Sequence, residues 1–326
     1  MRLSSDRLNM RLSSDREVRR TLQVVYFVTQ SRGRRSQRII MSDEDLSSQN
    51  IAHLRSSDVS TSLRAYIRQG WQRRHFALAM PADQFRSRNQ NTLLGNFWNL
   101  LNPLLTAGVY FLIFGVVLSA SRGVDNYVFW LVIGLFGFRL TNSTVLQGAK
   151  AVTGRQGLVR SIRFPRILLP VASTISSLIN FSFEVLILLA FAFGTGEGVS
   201  WRILLLPAVV FLHTLFNFGC ALIAARLNDG FRDFERLLPF VFQILRYFSA
   251  VMIPLARFEG RGPGVVYEIL SLNPLVWFLA MYRWVFLGTA EGMQINHILG
   301  VVASTLVVVL IGTKFFAAAE HRYGRP

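Results

Sequence analysis

Of 326 residues, 52% are hydrophobic and only 16% are charged, against about a quarter charged in soluble domains, so an ordinary soluble globular domain is excluded. A net charge of +17 would suggest nucleic acid in a soluble protein; here the basic residues flank apolar stretches, where they orient a membrane protein, and no nucleic-acid partner is expected. The single cysteine, Cys220, lies in an apolar run, which excludes an intrachain disulfide and a cysteine-cluster metal site.

Residues 1–60 are dominated by Ser, Arg, Asp and Gln with little periodicity, which predicts a disordered, basic cytoplasmic tail. The heptapeptide MRLSSDR at 1–7 recurs at 10–16, a duplication resembling upstream sequence, and Met41 is an alternative start. No apolar core precedes a small-residue cleavage site, so no cleavable signal peptide is visible. Within 61–102, Leu63, Ile67, Trp71 and Leu78 recur at helical spacing, with Arg64, Arg68 and Gln72 on another face. This pattern predicts an amphipathic helix lying on the membrane surface.

A transmembrane domain is expected over 103–317, followed by a cytoplasmic tail at 318–326. Crossing a ~30 Å hydrocarbon core takes about 20 mainly apolar residues. Three stretches qualify without any Asp, Glu, Lys or Arg: 103–121, 203–225 and 292–313. Three more carry one ionisable residue each: 126–149 with Arg139, 167–196 with Glu184, and 237–256 with Arg246. The fold class is therefore all-α and integral to the membrane, with six spans. With the N-terminus inside, segments 1–102, 147–167, 225–237 and 314–326 hold 28 Lys/Arg, whereas the outer segments hold only Arg122, Arg257, Arg261 and Arg283. That asymmetry places both termini in the cytoplasm.

Between the fifth and sixth spans the apolar run 269–282 is too short to cross. Pro274 interrupts it, and Trp277, Tyr282 and Trp284 are residues that favour the interface. A re-entrant pair of short helices in the outer leaflet is expected. Trp277 and Trp284 would share one face, and Arg283 would stay near water or lipid phosphate.

No G-x-x-x-x-G-K-[ST], H-E-x-x-H or G-x-S-x-G occurs, so neither ATP hydrolysis through a P-loop nor the corresponding hydrolase chemistry is expected, and no catalytic residue is assigned. His53, His75, His213, His297 and His321 are scattered; His213 and Asn217 fit an intramembrane polar pair. Asp229 and Asp233 are four apart but surrounded by Arg226, Arg232 and Arg236, which fits a salt-bridge network better than a metal site. A charge at mid-bilayer costs roughly 2.5–3.5 kcal/mol on insertion scales. Arg139 and Glu184 fall about 18 Å and about 15 Å below the outer face at ~1.5 Å per residue, so an ion pair is expected. Arg246 lies near the same level with no obvious partner, which leaves a polar pathway or a subunit interface open.

Leu93-Leu94-Gly95-Asn96-Phe97-Trp98 followed by Asn102-Pro103 resembles the start of the first span in polysaccharide-exporting ABC permeases, the Wzm-type membrane subunits of O-antigen, capsule and teichoic-acid exporters. Four further blocks agree in order: Phe164-Pro165-Arg166 with Pro170, Arg232-Asp233 with Leu238-Pro239-Phe240, Pro254, and Asn273-Pro274 with Tyr282-Arg283. The resemblance covers 75–320 and departs from the family pattern in 1–60 and 85–91. It implies a homodimer with two separate ABC subunits that bind ATP and Mg, so that this chain carries no cofactor or metal. It also implies outward movement of a lipid-linked polysaccharide, such as galactan, O-antigen or teichoic acid, across the bacterial cytoplasmic membrane. By the same resemblance, Trp71, Gly95, Trp98 and Pro103 belong to a cytoplasmic gate, and Arg160, Arg163, Phe164, Pro165 and Arg166 couple to the ATPase. Asn273, Pro274, Trp277, Tyr282 and Arg283 form an outer gate. An ABC exporter of a small hydrophobic molecule or drug would be expected to lack the Asn-Pro…Tyr-Arg block. A membrane glycosyl- or phosphotransferase would need an acidic metal motif.

Overall fold

The computed structural model describes residues 97–117, 126–161, 164–194, 200–255, 264–289, 293–320 and 323, with isolated positions 68, 72, 77, 80 and 81. The expected N-terminal tail, and most of the expected surface helix with Trp71 and Gly95, lie outside the described residues. All of the regular structure described is helical: α1 (Trp98–Tyr110), continued by a π-helical segment Phe111–Val117; α2 (Tyr127–Thr153); α3 (Gln156–Ser161); α4 (Leu168–Gly194); a 3-10 turn Trp201–Leu205 running into α5 (Leu206–Gly230); α6 (Phe234–Tyr247); α7 (Gly264–Ser271); α8 (Pro274–Leu287); and α9 (Ile295–Ala317).

Four of these helices are long and apolar enough to cross a membrane: Tyr127–Thr153, Leu168–Gly194, Trp201–Gly230 and Ile295–Ala317. They coincide within a few residues with four of the expected spans. The helix of the expected fifth span, 237–256, stops at Tyr247, about 21 Å after it begins at ~1.5 Å per residue. Residues 248–253 then turn, with Ala250 at φ 49, a left-handed geometry that a non-glycine residue holds only when its surroundings enforce it.

At the centre lies α2, whose first half, 127–138, is apolar on all sides as a helix must be when neighbours enclose it. Phe129, Trp130, Leu131 and Ile133 are fully buried, and α4, α5, α6 and α8 all contact α2. Small residues let the backbones approach, as in membrane bundles generally. A Cβ at Gly219 of α5 would lie 2.8 Å from the Val309 nitrogen of α9, and one at Gly148 of α2 would meet the Cβ of Ala221 on α5. A smaller core closes the end of the bundle that carries α3, where Val152, Val159, Ile167, Leu169, Phe316 and Tyr323 cluster. Large apolar side chains are exposed along α1 and its π-helical continuation, α6 and α9, among them Leu112, Phe240, Ile244 and Leu310.

Candidate functional site

The two charges expected at similar depth meet. Nε of Arg139 on α2 lies 3.0 Å from Oε1 of Glu184 on α4; Glu184 is 4% exposed, and Arg139 is 42% exposed. One turn or more away, Gln147 donates to Ser177 Oγ at 3.2 Å across the same helix pair. Arg246, for which the sequence offered no partner, has one. Its guanidinium donates to the Tyr110 hydroxyl of α1 and lies 5.6 Å from the ring centres of Tyr110 and Phe138, a cation–π arrangement on both. His213 and Asn217 do not pair. Instead His213 contacts Thr141 Oγ1 at 2.8 Å and the Tyr282 hydroxyl at 3.3 Å, and the Asn217 side chain makes no hydrogen bond among the described residues.

α8 begins where the sequence dictates. Pro274 occupies the first turn, where its missing N–H costs nothing, and Asn273 caps the helix by accepting from Leu275 N at 3.0 Å. The same Asn273 amide donates to Phe248 O and Ser249 Oγ, both at 3.0 Å, so it also pins the turn that ends α6. Arg283 departs from its expected place near water or lipid phosphate. It is 1% exposed, with its guanidinium carbon 3.4 Å from the Trp130 ring centre and Nη2 donating to Ala250 O and Val251 O at 2.9 and 3.2 Å. Those carbonyls and that ring offset the desolvation that kept the residue outside in the sequence reading. The two tryptophans do not share an exposed face either. Trp277 is buried, stacked on His297 at 3.5 Å with Nε1 donating to Ser271 O at 2.6 Å. Trp284 meets Trp201 edge-on at 6.5 Å. Tyr282 is buried against Phe181 as well as His213.

At the other end, α3 is a six-residue helix leading to Phe164, Pro165 and Arg166, which precede α4. Arg160 lies on α3; Arg163 falls outside the described residues. Asp229 and Asp233 form separate pairs with Arg226 at 3.4 Å and Arg236 at 3.5 Å. No group of three metal-ligating side chains occurs among the described residues. Trp98 opens α1, and Pro103 is buried within it, its position spanned by Thr106 Oγ1 donating to Asn102 O at 2.8 Å. Sequence reasoning missed Glu320, Tyr110 and Ala250. Each acts through a partner far away in the chain, and none carries a local motif.

Residues 78–287 match the ABC-2 type transporter family. An O-antigen export system permease protein from Myxococcus xanthus is 27% identical over 220 residues, covering 68% of this chain and 83% of that protein. A Klebsiella pneumoniae protein of the same description is 24% identical over 238 residues, with 72% and 88% covered. A polysialic acid transport protein from Escherichia coli is 23% identical over 241 residues, with 73% and 91% covered. The matched region contains all but the last of the long helices, together with the charge pair, α3 and α8, and the chain belongs to the ABC-2 type transporter family of multi-pass membrane proteins.

Proposed function

We propose that this chain is the membrane permease of an ATP-driven exporter that carries a lipid-linked polysaccharide outward across the cytoplasmic membrane. The observation that carries the reading is the family match over 78–287, joined by relatives whose names concern O-antigen and polysialic acid export. The chain works as a homodimer with two separate subunits that bind ATP and Mg. Both termini face the cytoplasm, which the distribution of Lys and Arg supports. The four long helices are joined by two further spans. One is α1 with its π-helical continuation, at 20 residues close to ~30 Å. The other is α6 extended by the 248–255 turn. The helices α7 and α8 are re-entrant, because 14 residues in α8 reach only about 21 Å.

On this reading 1–60 is a cytoplasmic tail, 61–102 is the gate region with Trp71, Gly95, Trp98 and Pro103, and 103–317 is the permease domain. The outer gate comprises Asn273, Pro274, Trp277, Tyr282 and Arg283, and Arg160, Arg163, Phe164, Pro165 and Arg166 couple to the ATPase. Exposed aromatic rings offer faces on which sugars stack without selecting one sugar sequence.

Charge reversal at Arg160 tests the coupling assignment. Arg160→Glu is expected to weaken association with the ATPase and to lower its permease-stimulated hydrolysis while membrane insertion stays normal. Undiminished association and stimulation would remove the assignment.

A further inference from the structure

The coupling segment is joined to the chain's end by reciprocal caps. α4 starts at Leu168, and the backbone N–H groups ahead of a helix lack partners inside it. Here the Arg166 N–H donates to Glu320 Oε1 at 3.1 Å, which puts a carboxylate at the positive end of the α4 dipole. In return the Arg166 guanidinium donates to the Glu320 backbone carbonyl, just past the C-terminal end of α9, where carbonyls are left without helical partners and a cation is favoured. Three residues on, Tyr323 folds back. It is fully buried, its ring lies 4.7 Å from that of Phe316, and its hydroxyl donates to Phe316 O at 3.1 Å. The core that Tyr323 completes contains Val159 of α3 and Ile167, with Phe164 and Leu158 packed against it.

We propose that Glu320 and Tyr323 are positioning residues that clamp α3 and residues 164–166 to the end of α9, so that a push on α3 moves α4 and α9 as one body. The coupling role rests on the function proposed above; the clamp itself rests on the contacts just described. Its consequence is mechanical. α4 carries Glu184 of the charge pair, so a displacement at α3 reaches the middle of the bundle through a helix whose start is fixed at both of its polar groups. Glu320 and Tyr323, which belong to no recognisable motif, are thereby part of the transmission.

The test uses the full permease with Cys220→Ser and a single reporter thiol from Val159→Cys, a position 5% exposed. Thiol labelling is measured on the permease alone, and ATPase stimulation on the complex with its ATP-binding subunit. Glu320→Ala is expected to raise labelling about tenfold, as local opening does when a capping contact is lost, and to lower stimulated turnover about fivefold with the KM for ATP unchanged. Glu320→Gln, which still accepts from the Arg166 N–H, should restore both to within about twofold. Thermal unfolding of the long helices serves as the control for a folding defect and should not move. Unchanged labelling in Glu320→Ala, or equal effects of the Ala and Gln variants, overturns the clamp. Faster labelling with normal stimulation overturns the positioning role, and Arg160→Glu in the same assay then tells whether the coupling reading has fallen with it.

Discussion

Glu184 and Arg139 form an ion pair that the protein covers unequally. Glu184 is 4% exposed and Arg139 is 42% exposed. Removing the arginine strands a buried carboxylate, and removing the carboxylate leaves a guanidinium without its ion-pair partner inside a membrane span. A broken buried pair costs about 3–5 kcal/mol, and an unpaired charge near mid-bilayer costs roughly 2.5–3.5 kcal/mol on insertion scales. Both Arg139→Gln and Glu184→Gln are therefore expected to lower stability by a few kcal/mol, and the double variant should recover much of the loss. Thermal unfolding in detergent of both single variants and the double variant checks this. A cycle without coupling between the two positions would reject the pair as a stabilising contact. At the same scale, the chemistry of Arg283 was the part least legible in the sequence. A lone arginine beside tryptophans suggests the membrane interface. Only the fold brings Trp130 and the carbonyls of Ala250 and Val251 around it.

Helix α8 is the element for which structure and sequence differ most usefully. The sequence predicts a pair of short helices with the apolar run interrupted at Pro274, and the structure opens α8 there with Asn273 as its N-cap. They differ in what the helix touches, because its length and composition leave open whether lipid or protein surrounds it. Val276, Ala280 and Met281 are 2%, 2% and 6% exposed, while Leu272 is 81% exposed. Single cysteines at these positions, with Cys220 removed, are therefore expected to react with an impermeant outside reagent only at 272, the other three reacting at least about tenfold more slowly. Equal, fast labelling at all four would show an open aqueous loop. Pattern alone also set the four long helices within a few residues, because runs of more than about 20 apolar residues have one simple explanation. It overran α6, whose apolar pattern continues past Tyr247. The helix stops there because Asn273, Arg283 and Tyr127, the last donating to Met252 O at 2.8 Å, hold the following turn from other helices. Such contacts between distant residues leave no trace in a local window. The reciprocal caps of Arg166 and Glu320 were hidden for the same reason.

On the scale of the whole molecule, the sequence blocks around Phe164-Pro165-Arg166 and Asn273-Pro274 pointed to the family that the chain is found to belong to. They did so because each sits where a helix must start or stop. The described residues form a bundle built on α2, with α3, proposed to face the ATPase, at one end and the short helices α7 and α8, proposed as the outer closure, at the other. It has no P-loop of its own. On the function proposed above, glycan crosses the membrane through this chain at the expense of ATP hydrolysed by a partner. The direct measurement is the amount of polysaccharide exposed on intact cells when the chain is depleted and then restored, scored beside the lipid-linked polysaccharide retained inside. The account predicts that depletion removes surface glycan and accumulates the lipid-linked form, that restoration reverses both, and that restoration fails when the partner's ATPase is inactive. Surface glycan at its normal level in depleted cells, with none retained inside, would contradict it.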